Sequence, residues 1–496
     1  MIVTQTRQEV PATAKRPSKR WWALSVISLA QLTVVLDATI VNIALPSIQH
    51  DLGVTDTDRH WAITAYALAF GGLLLLGGRV SSALSHHRSF VIGLIGFAVA
   101  SGLGGATDSA AVLFAARAGQ GVFAALLAPA ALSLLILTFT DPKERGRAFG
   151  VFAGVGAGGA ALGVFAGGLL TEYADWRWCL YINVPLALIA LAGVPFLMRD
   201  RPTGDLRHLD IPGVLLSASG LVALVYGFSQ AEPHGWGDPR VLALLALGTA
   251  LLVLFVLTEA RSPRALLPLH IVLHRTRAVA FLSVFVMYLA MFGFYLFVSY
   301  YTQTVLGYSP VKASLTLLVN AVSTTVGAMV IAAALQRRLA PSTLISGSLL
   351  SSALGMLVLT QLEVDSTGVL PLYLIPAMVL TGIGLGCLLA VATNRATAEL
   401  DRDEAGVASA AYNTVQQVGA AFGTALLNSI ATTVTTAYLA DRGNRTEDVH
   451  AATVHGYAVA LWVAFGILVG GAVLVGLLSR NGGRTPRSTP AAQTSN

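Results

Sequence analysis

The stretch WWALSVISLAQLTVVLDATIVNIA, residues 21–44, decides the fold. Its 24 residues hold one ionisable side chain, Asp37, and as a helix rising 1.5 Å per residue they span the ~30 Å hydrocarbon layer of a bilayer. An isolated strand is excluded there, because its unpaired edges find no partner in lipid. Comparable runs recur along the chain, Val241 to Leu257 among them. Of 496 residues 55% are hydrophobic and 11% charged, and mean hydropathy is +0.70; a soluble domain carries roughly 25% charged residues. These observations exclude a large soluble core and define an all-α polytopic membrane protein.

Working outward, the hydropathy pattern predicts fourteen spans, near 22–44, 59–79, 89–106, 110–136, 146–170, 178–197, 211–229, 241–258, 277–299, 311–334, 342–361, 369–393, 405–432 and 455–478. Forty-nine glycines suit a bundle in which helices approach closely without a hydrophobic drive between them. The excess of basic residues, formally +6, is explained by topology. Arg88, Lys143, Arg145, Arg147, Arg199, Arg201, Arg261, Arg264, Arg337 and Arg338 fall in alternate connections, which the positive-inside rule assigns to the cytoplasm. Both termini are then cytoplasmic, and nucleic acid is not needed as a partner. The basic segment Arg7 to Arg20 precedes an apolar run too long for a signal peptide, so it is expected to stay as a tail.

Trp21 and Trp22 are expected at one membrane boundary, and Trp176 and Trp178 at the other. Residues 433–454 are expected to form a mobile outer loop or a short interfacial helix, and the Gly-, Ser-, Thr- and Pro-rich tail after Arg480 to be disordered. Cys179 and Cys387 lie in separate apolar segments and suggest neither a disulfide framework nor a metal cluster. The pattern leaves no room for an ATP-binding domain, and the phosphate-binding G-x-x-x-x-G-K-[ST] loop is missing. No cofactor is called for.

The informative residues are polar ones inside the spans. Asp37 and Arg117 lie at matching depth, each about 10 Å below the outer surface, so they are able to pair directly or through water. A buried charge is expensive and marks a functional candidate; the alternative is a static ion pair that only selects helix neighbours. Asn413, Gln416 and Gln417 share one face of the thirteenth span, as polar glue between helices or as cavity lining. Gln31 in the first span is a further substrate-binding candidate. Phe285, Tyr288, Phe292 and Tyr295 form an aromatic stripe suited to a flat apolar or cationic compound, or to core packing. Gly154, Gly156, Gly158, Gly159, Gly163, Gly167 and Gly168 crowd the fifth span, as a moving interface or simply a tight one. His86 and His87, beside Arg88, read as a solvated polar turn.

At these residues the chain resembles the major facilitator superfamily, in particular its fourteen-span drug:proton antiporter subfamily, over about residues 20–480. Leu36-Asp37-Ala38-Thr39-Ile40-Val41-Asn42-Ile43-Ala44-Leu45-Pro46 is similar to the first-span motif. Leu113, Arg117, Gln120, Gly121, Ala125 and Pro129 resemble the fourth-span motif, and Gly163-Val164-Phe165-Ala166-Gly167-Gly168 the antiporter motif. Trp176-Arg177-Trp178 followed by Tyr181-Ile182-Asn183-Val184-Pro185 resembles the fourteen-span branch. Three positions depart: Val164 stands where proline is frequent, Ser82 replaces the usual aspartate of the loop motif Gly78 to Arg88, and Ser85 its usual glycine.

The resemblance implies the major-facilitator fold with fourteen transmembrane helices: an N-terminal six-helix bundle over 22–200, two inserted helices over 201–275 and a C-terminal six-helix bundle over 276–478. Short cytoplasmic tails, 1–21 and 479–496, flank them. It implies proton-coupled export of amphiphilic drugs, antibiotics or natural products across a bacterial cytoplasmic membrane, by a monomer that is not an enzyme. Its partners are then the amphiphile, protons as coupling ion, and lipids. Asp37, Arg117, Arg88, Gly163, Gly167 and Gly168 are the expected coupling or gating residues, with an inner gate that uses Arg88 without the customary acidic latch. An exporter of a specific metabolite or siderophore shares these motifs, and a non-transporting sensor or scaffold is the alternative from another class.

Overall fold

The computed structural model describes residues 17–202, 210–261, 272, 274–363, 366–397, 402–442, 445 and 448–480. Fourteen helices among these residues are long and apolar enough to cross a membrane: α1 (Arg20–Leu52), α2 (Trp61–Leu84), α3 (His86–Gly105), α4 (Ala110–Thr138), α5 (Arg147–Tyr173), α6 (Trp178–Phe196), α7 (Ile211–Ala231), α8 (Pro239–Arg261), α9 (Arg275–Val305), α10 (Pro310–Leu335), α11 (Pro341–Leu359), α12 (Leu370–Ala396), α13 (Ala411–Asp441) and α14 (Val449–Ser479). Local chemistry sets several starts. Ser85 Oγ accepts the Arg88 amide at 3.3 Å before α3, Asp210 Oδ1 accepts the Gly213 amide at 3.1 Å before α7, and Ser309 precedes Pro310 at α10.

Helices α1–α6 pack as one bundle, α2 and α3 against α4 and α1 against α5; α9–α14 pack as a second, with α11 on α12 and α14, and α9 on α13. The bundles touch along two seams, α2 on α13 and α5 on α10. Helices α7 and α8 form a hairpin whose α7 rests on both α2 and α13. Leu221 and Val225 of α7 meet Ala67 and Leu68 of α2 and Ala421 and Ala425 of α13 in a small core that covers this seam.

The apolar core divides by depth. Leu36, Ile40 and Ile43 in the C-terminal half of α1 share one core with Phe294 and Phe297 of α9, so the bundles are joined there. Ala23, Ile27 and Ala30 in the N-terminal half pack with Phe90, Phe97 and Leu134, all within the first bundle. The bundles therefore hold together at the end where α1 finishes.

Three local expectations are corrected. Most of 433–454 is helix, because α13 runs to Asp441 and α14 starts at Val449. The extensions brace each other: Thr435 Oγ1 donates to the Ala452 carbonyl at 3.2 Å, and the Tyr438 and His455 rings lie 5.1 Å apart. Trp176 is no headgroup anchor, since it is 4% exposed and its indole donates to Asp51 at 2.9 Å. His86 and His87 are half-buried, and their amides donate to the two oxygens of Asp200 at 2.8 and 3.0 Å. The predicted tails fall largely outside the described residues.

Candidate functional site

Asp37 of α1 is 0% exposed and Arg117 of α4 1% exposed. A carboxylate so placed needs donors on both oxygens, since an uncompensated charge in the interior costs several kcal/mol. Arg117 Nη1 donates to Oδ2 at 2.6 Å, while Gln120 Nε2 and Asn183 Nδ2 donate to Oδ1 at 2.8 and 2.7 Å. The i,i+3 spacing places Arg117 and Gln120 on one face of α4, and Arg117 Nη1 also donates to Gln120 Oε1 at 2.8 Å. Arg117 Nε donates to the Ala62 carbonyl at 2.8 Å, its guanidinium lies 4.7 Å from the Tyr66 ring centroid, and Gln120 Nε2 reaches Ser101 Oγ at 2.7 Å. All these groups belong to the first bundle. The fork of arginine suits this work, because it serves a carboxylate, an amide and a backbone carbonyl at once.

The glycines of α5 split between packed and open faces. A Cβ on Gly163 would sit 2.8 Å from the Leu36 carbonyl oxygen, and one on Gly167 2.7 Å from that of Ile40. Both glycines therefore let α5 lie against α1 beside Asp37. Gly168 faces the other bundle, where its Cβ would fall 2.8 Å from the Pro310 carbonyl oxygen of α10. Gln31 lies on the same α1–α5 seam, 3.9 Å from a Cβ placed on Gly156, whereas Gly154 and Gly158 have nothing within 4 Å of theirs. At its C-terminal end α5 is packed on α10; the smooth face of Gly154 and Gly158 is open.

A second buried arginine was not singled out by the sequence. Arg59, just before α2, is 5% exposed and reaches across to the second bundle. Its Nε donates to Asn428 Oδ1 at 3.1 Å, its Nη2 to the Tyr457 hydroxyl at 3.4 Å, and its guanidinium sits 3.9 Å from the Tyr300 ring centroid. Asp56 balances the charge at 3.2 Å. Burial alone would lower the Arg59 pKa, but Tyr457, Tyr300 and Asp56 more than offset it and hold the pKa above the ordinary arginine value. Ser299 Oγ donates to the Asn42 carbonyl at 2.8 Å and Gln303 Nε2 to that of Ile43 at 3.1 Å, while Glu172 accepts the Val311 amide at 2.8 Å. These cross-bundle bonds gather at the end where α1 finishes, as does a cavity of about 470 Å³ between the bundles, lined by His50, Asp51, Asp175, Gln303 and Tyr308. Only the boundary position of Arg59 in the sequence hinted at this latch.

Phe285, Tyr288, Phe292 and Tyr295 are half-buried positions on an otherwise mostly buried α9. Tyr288 and Phe292 stack at 5.8 Å, Phe292 meets Tyr295 edge-on at 6.1 Å, and the Tyr295 hydroxyl donates to Asn320 at 2.8 Å. Phe285 also contacts Phe422 of α13 at 6.3 Å. On α13, Asn413 is exposed and Gln416 half-buried, but Gln417 Cβ would lie 2.6 Å from a Cβ on Gly71, so Gln417 sits in the α2 seam. The three-residue face is thus divided between open surface and packing. Arg88 is placed apart from the Asp37 network, exposed in the first turn of α3 and not in the connecting loop. The loop motif does acquire an acid, because Asp200 caps the α3 N-terminus from beyond α6. Burial raises the Asp200 pKa, but the His87 and His86 amides outweigh it and hold the carboxyl below its ordinary value. Ser85 carries φ +88°, a conformation natural to the glycine that the loop motif usually has there. Among the described residues no three His, Cys, Asp or Glu side chains gather where a metal ion would be held.

Two six-helix bundles, an inserted hairpin and an acid–arginine pair buried in the first bundle define a polytopic membrane protein of transporter architecture. The family model described as Major Facilitator Superfamily matches residues 27–424, and the chain belongs to that superfamily. It is 54% identical over 460 residues to the puromycin resistance protein of Streptomyces alboniger, covering 93% of this chain and 91% of that protein. The cephamycin export protein of Amycolatopsis lactamdurans is 36% identical, with coverage of 82% and 84%. The multidrug efflux pump of Mycolicibacterium smegmatis is 31% identical, with coverage of 85% and 83%. Among solved structures, the POT family transporter PepTSo superposes with a TM-score of 0.69 at 14% identity, covering 94% of this chain and 99% of that one, a likeness of fold.

Proposed function

We propose that the chain is a proton-coupled antiporter that exports amphiphilic drugs, antibiotics or natural products by alternating access. The observation that carries this reading is the fully buried Asp37, held by three donors of the first bundle yet lying in the half of α1 whose apolar residues join the second bundle. Such a carboxylate is the group whose charge changes when a proton enters, and its change is felt by Arg117, Gln120 and Asn183 together. The names of the relatives support the cargo class: puromycin resistance, cephamycin export and multidrug efflux.

In this mechanism the two bundles rock about their seams. With the N-terminus in the cytoplasm of a bacterial cell, the latched end faces outward, and the structure is closed on that side. The aromatic stripe of α9, Gln31, Asn413 and Gln416 are the residues that hold the amphiphile, and protons enter and leave at Asp37. The chain works as a monomer without catalytic chemistry. Purified protein in proteoliposomes, tested on a chemically broad panel under an imposed proton gradient, is expected to move at least one amphiphile uphill with counterflow of protons. Export independent of the gradient, or none from a folded preparation, overturns the reading.

A further inference from the structure

Asn183 opens the helix Asn183–Ala192, directly after the interruption of α6 at Ile182 that follows the turn Trp178–Tyr181. It is 0% exposed, and its two amide ends are treated differently. Nδ2 donates to Asp37 Oδ1 at 2.7 Å, while Oδ1 accepts no hydrogen bond. A buried acceptor without a donor costs about 1–3 kcal/mol, so its presence beside the one buried acid of the site needs a reason.

The ionised carboxylate is satisfied by donors alone: Arg117 on one oxygen, Gln120 and Asn183 on the other. Once a proton binds Oδ1, away from arginine, that oxygen becomes a donor facing two NH₂ groups. One neighbour has to present a carbonyl oxygen instead. Gln120 is committed at both ends, with Oε1 taking Arg117 Nη1 at 2.8 Å and Nε2 giving to Ser101 at 2.7 Å. Asn183 is committed at one end. A half-turn of its carboxamide breaks only the bond made obsolete by the proton, and trades an unpaired acceptor for an unpaired donor. The other titratable groups around Asp37 are Arg117 from α4, Tyr66 from α2 and Cys179 from α6. Arginine only donates, the Tyr66 hydroxyl gives its proton to the Val34 carbonyl at 3.5 Å, and the Cys179 thiol is engaged by Thr171 and the Gly167 carbonyl.

We infer that Asn183 is a positioning residue for proton coupling, a carboxamide rotor that donates to ionised Asp37 and accepts from protonated Asp37. The inference rests on the proton-coupled reading of Asp37. It is tested by infrared difference spectra across a pH step on the purified full chain, together with the pH profile of gradient-driven efflux. The protonated-carboxyl band of Asp37, identified by its loss in Asp37→Asn, should move to higher wavenumber in Asn183→Leu, whose side chain accepts nothing. Asn183→Ser, with a hydroxyl that both donates and accepts, should keep the band near its wild-type position. The efflux midpoint should stay within about half a pH unit of wild type in Asn183→Leu, because the protonated form loses its acceptor while the ionised form loses one of its three donors. An unmoved band, or a midpoint that rises beyond that range because Asn183 serves the carboxylate alone, overturns the inference and leaves Asp37 as the carrier. Normal driven efflux in Asp37→Asn with no band lost overturns the carrier itself, and the rotor with it.

Discussion

Arg117 and Arg59 are both buried, both placed over a tyrosine ring and both paired with an acid, but their partners belong to different bodies. Those of Arg117 come from α1, α2 and α4 of one bundle, Asp37, Ala62 and Gln120 among them. Those of Arg59 include Asn428, Tyr457 and Tyr300 of the other. Rigid-body rocking preserves contacts inside a bundle and exchanges those between bundles. The Arg117 network is thus a candidate for change by protonation, whereas the Arg59 network is conditional on which end is closed. Under the proposed mechanism the difference separates a chemical switch from a mechanical latch, although the residues are of one type.

The largest effect is expected on the switch. Asp37→Asn keeps the side-chain volume but cannot exchange the carboxylate proton, so gradient-driven efflux should fall to the leak level while substrate binding persists. Normal driven efflux at matched abundance breaks the comparison at its first arm. Arg117→Lys keeps the charge and loses the fork, so one or more of the bonds to Asp37, Gln120 and Ala62 must go. Turnover should drop roughly 10–100-fold, the weight of one charged hydrogen bond. Wild-type turnover in that variant removes Arg117 from the switch.

A smaller effect is expected at the latch. Arg59→Gln retains an amide toward Asn428 but abandons Tyr457 and the Tyr300 face, which should favour opening at that end. Thiol labelling of a cysteine introduced at Gln303, probed from outside the membrane, should quicken roughly five- to tenfold. Both native cysteines are buried and supply little background. Unchanged labelling shows that the apolar core of Ile43, Phe294 and Phe297 closes this end without help from Arg59.

The Asp37–Arg117 pair was legible in the sequence and the Arg59 contacts were not, for physical reasons. An acid inside an apolar run is conspicuous, and opposite running directions of α1 and α4 let the depths of Asp37 and Arg117 be compared from helical rise alone. Gln120 and Asn183 stood in motif positions, yet nothing local distinguishes a polar residue that touches Asp37 from one that packs elsewhere. Arg59 sits at a span boundary, where an arginine is ordinarily solvated; its burial depends on α9, α13 and α14, more than 200 residues away. The helix count followed from hydropathy, but the π turns at Tyr301–Val305, Gly327–Ile331 and Leu370–Leu374 left no trace in it. Amphipathic continuation of α13 and α14 past their apolar cores likewise escaped a pattern based on hydropathy. Packing of Thr435 and Tyr438 on the facing helix supplies what lipid does not.

The smallest effect on transport is expected one residue beyond the latch. His60 is 1% exposed; its Nδ1 donates to the Thr57 carbonyl at 2.7 Å, and Nε2 lies 3.0 Å from Ser229 Oγ of α7. A neutral ring with its proton on Nδ1 leaves Nε2 to accept the serine hydroxyl, so His60 ties the α1–α2 connection to the inserted hairpin. Burial pushes its pKa down to about 4, against weaker upward pulls from the Thr57 carbonyl and Asp58, while the Arg59 charge adds to the depression. An opened state restores the ordinary value near 6.5. Between those values the opened state binds a proton that the closed state refuses, so stability falls as pH falls, and is fully present only above about 6.5. By pH 5 the closed connection should have lost about 2 kcal/mol relative to pH 7. His60→Gln retains donor and acceptor without a titrating ring, and should leave efflux at pH 7 near wild type. Hydrogen exchange of the Thr57 to Ala62 amides should then quicken between pH 7 and 5 in wild type, after correction for intrinsic exchange, and stay level in the variant. Parallel profiles for the two proteins would show that the segment opens without exposing His60, and would leave Ser229 as a packing contact of α7.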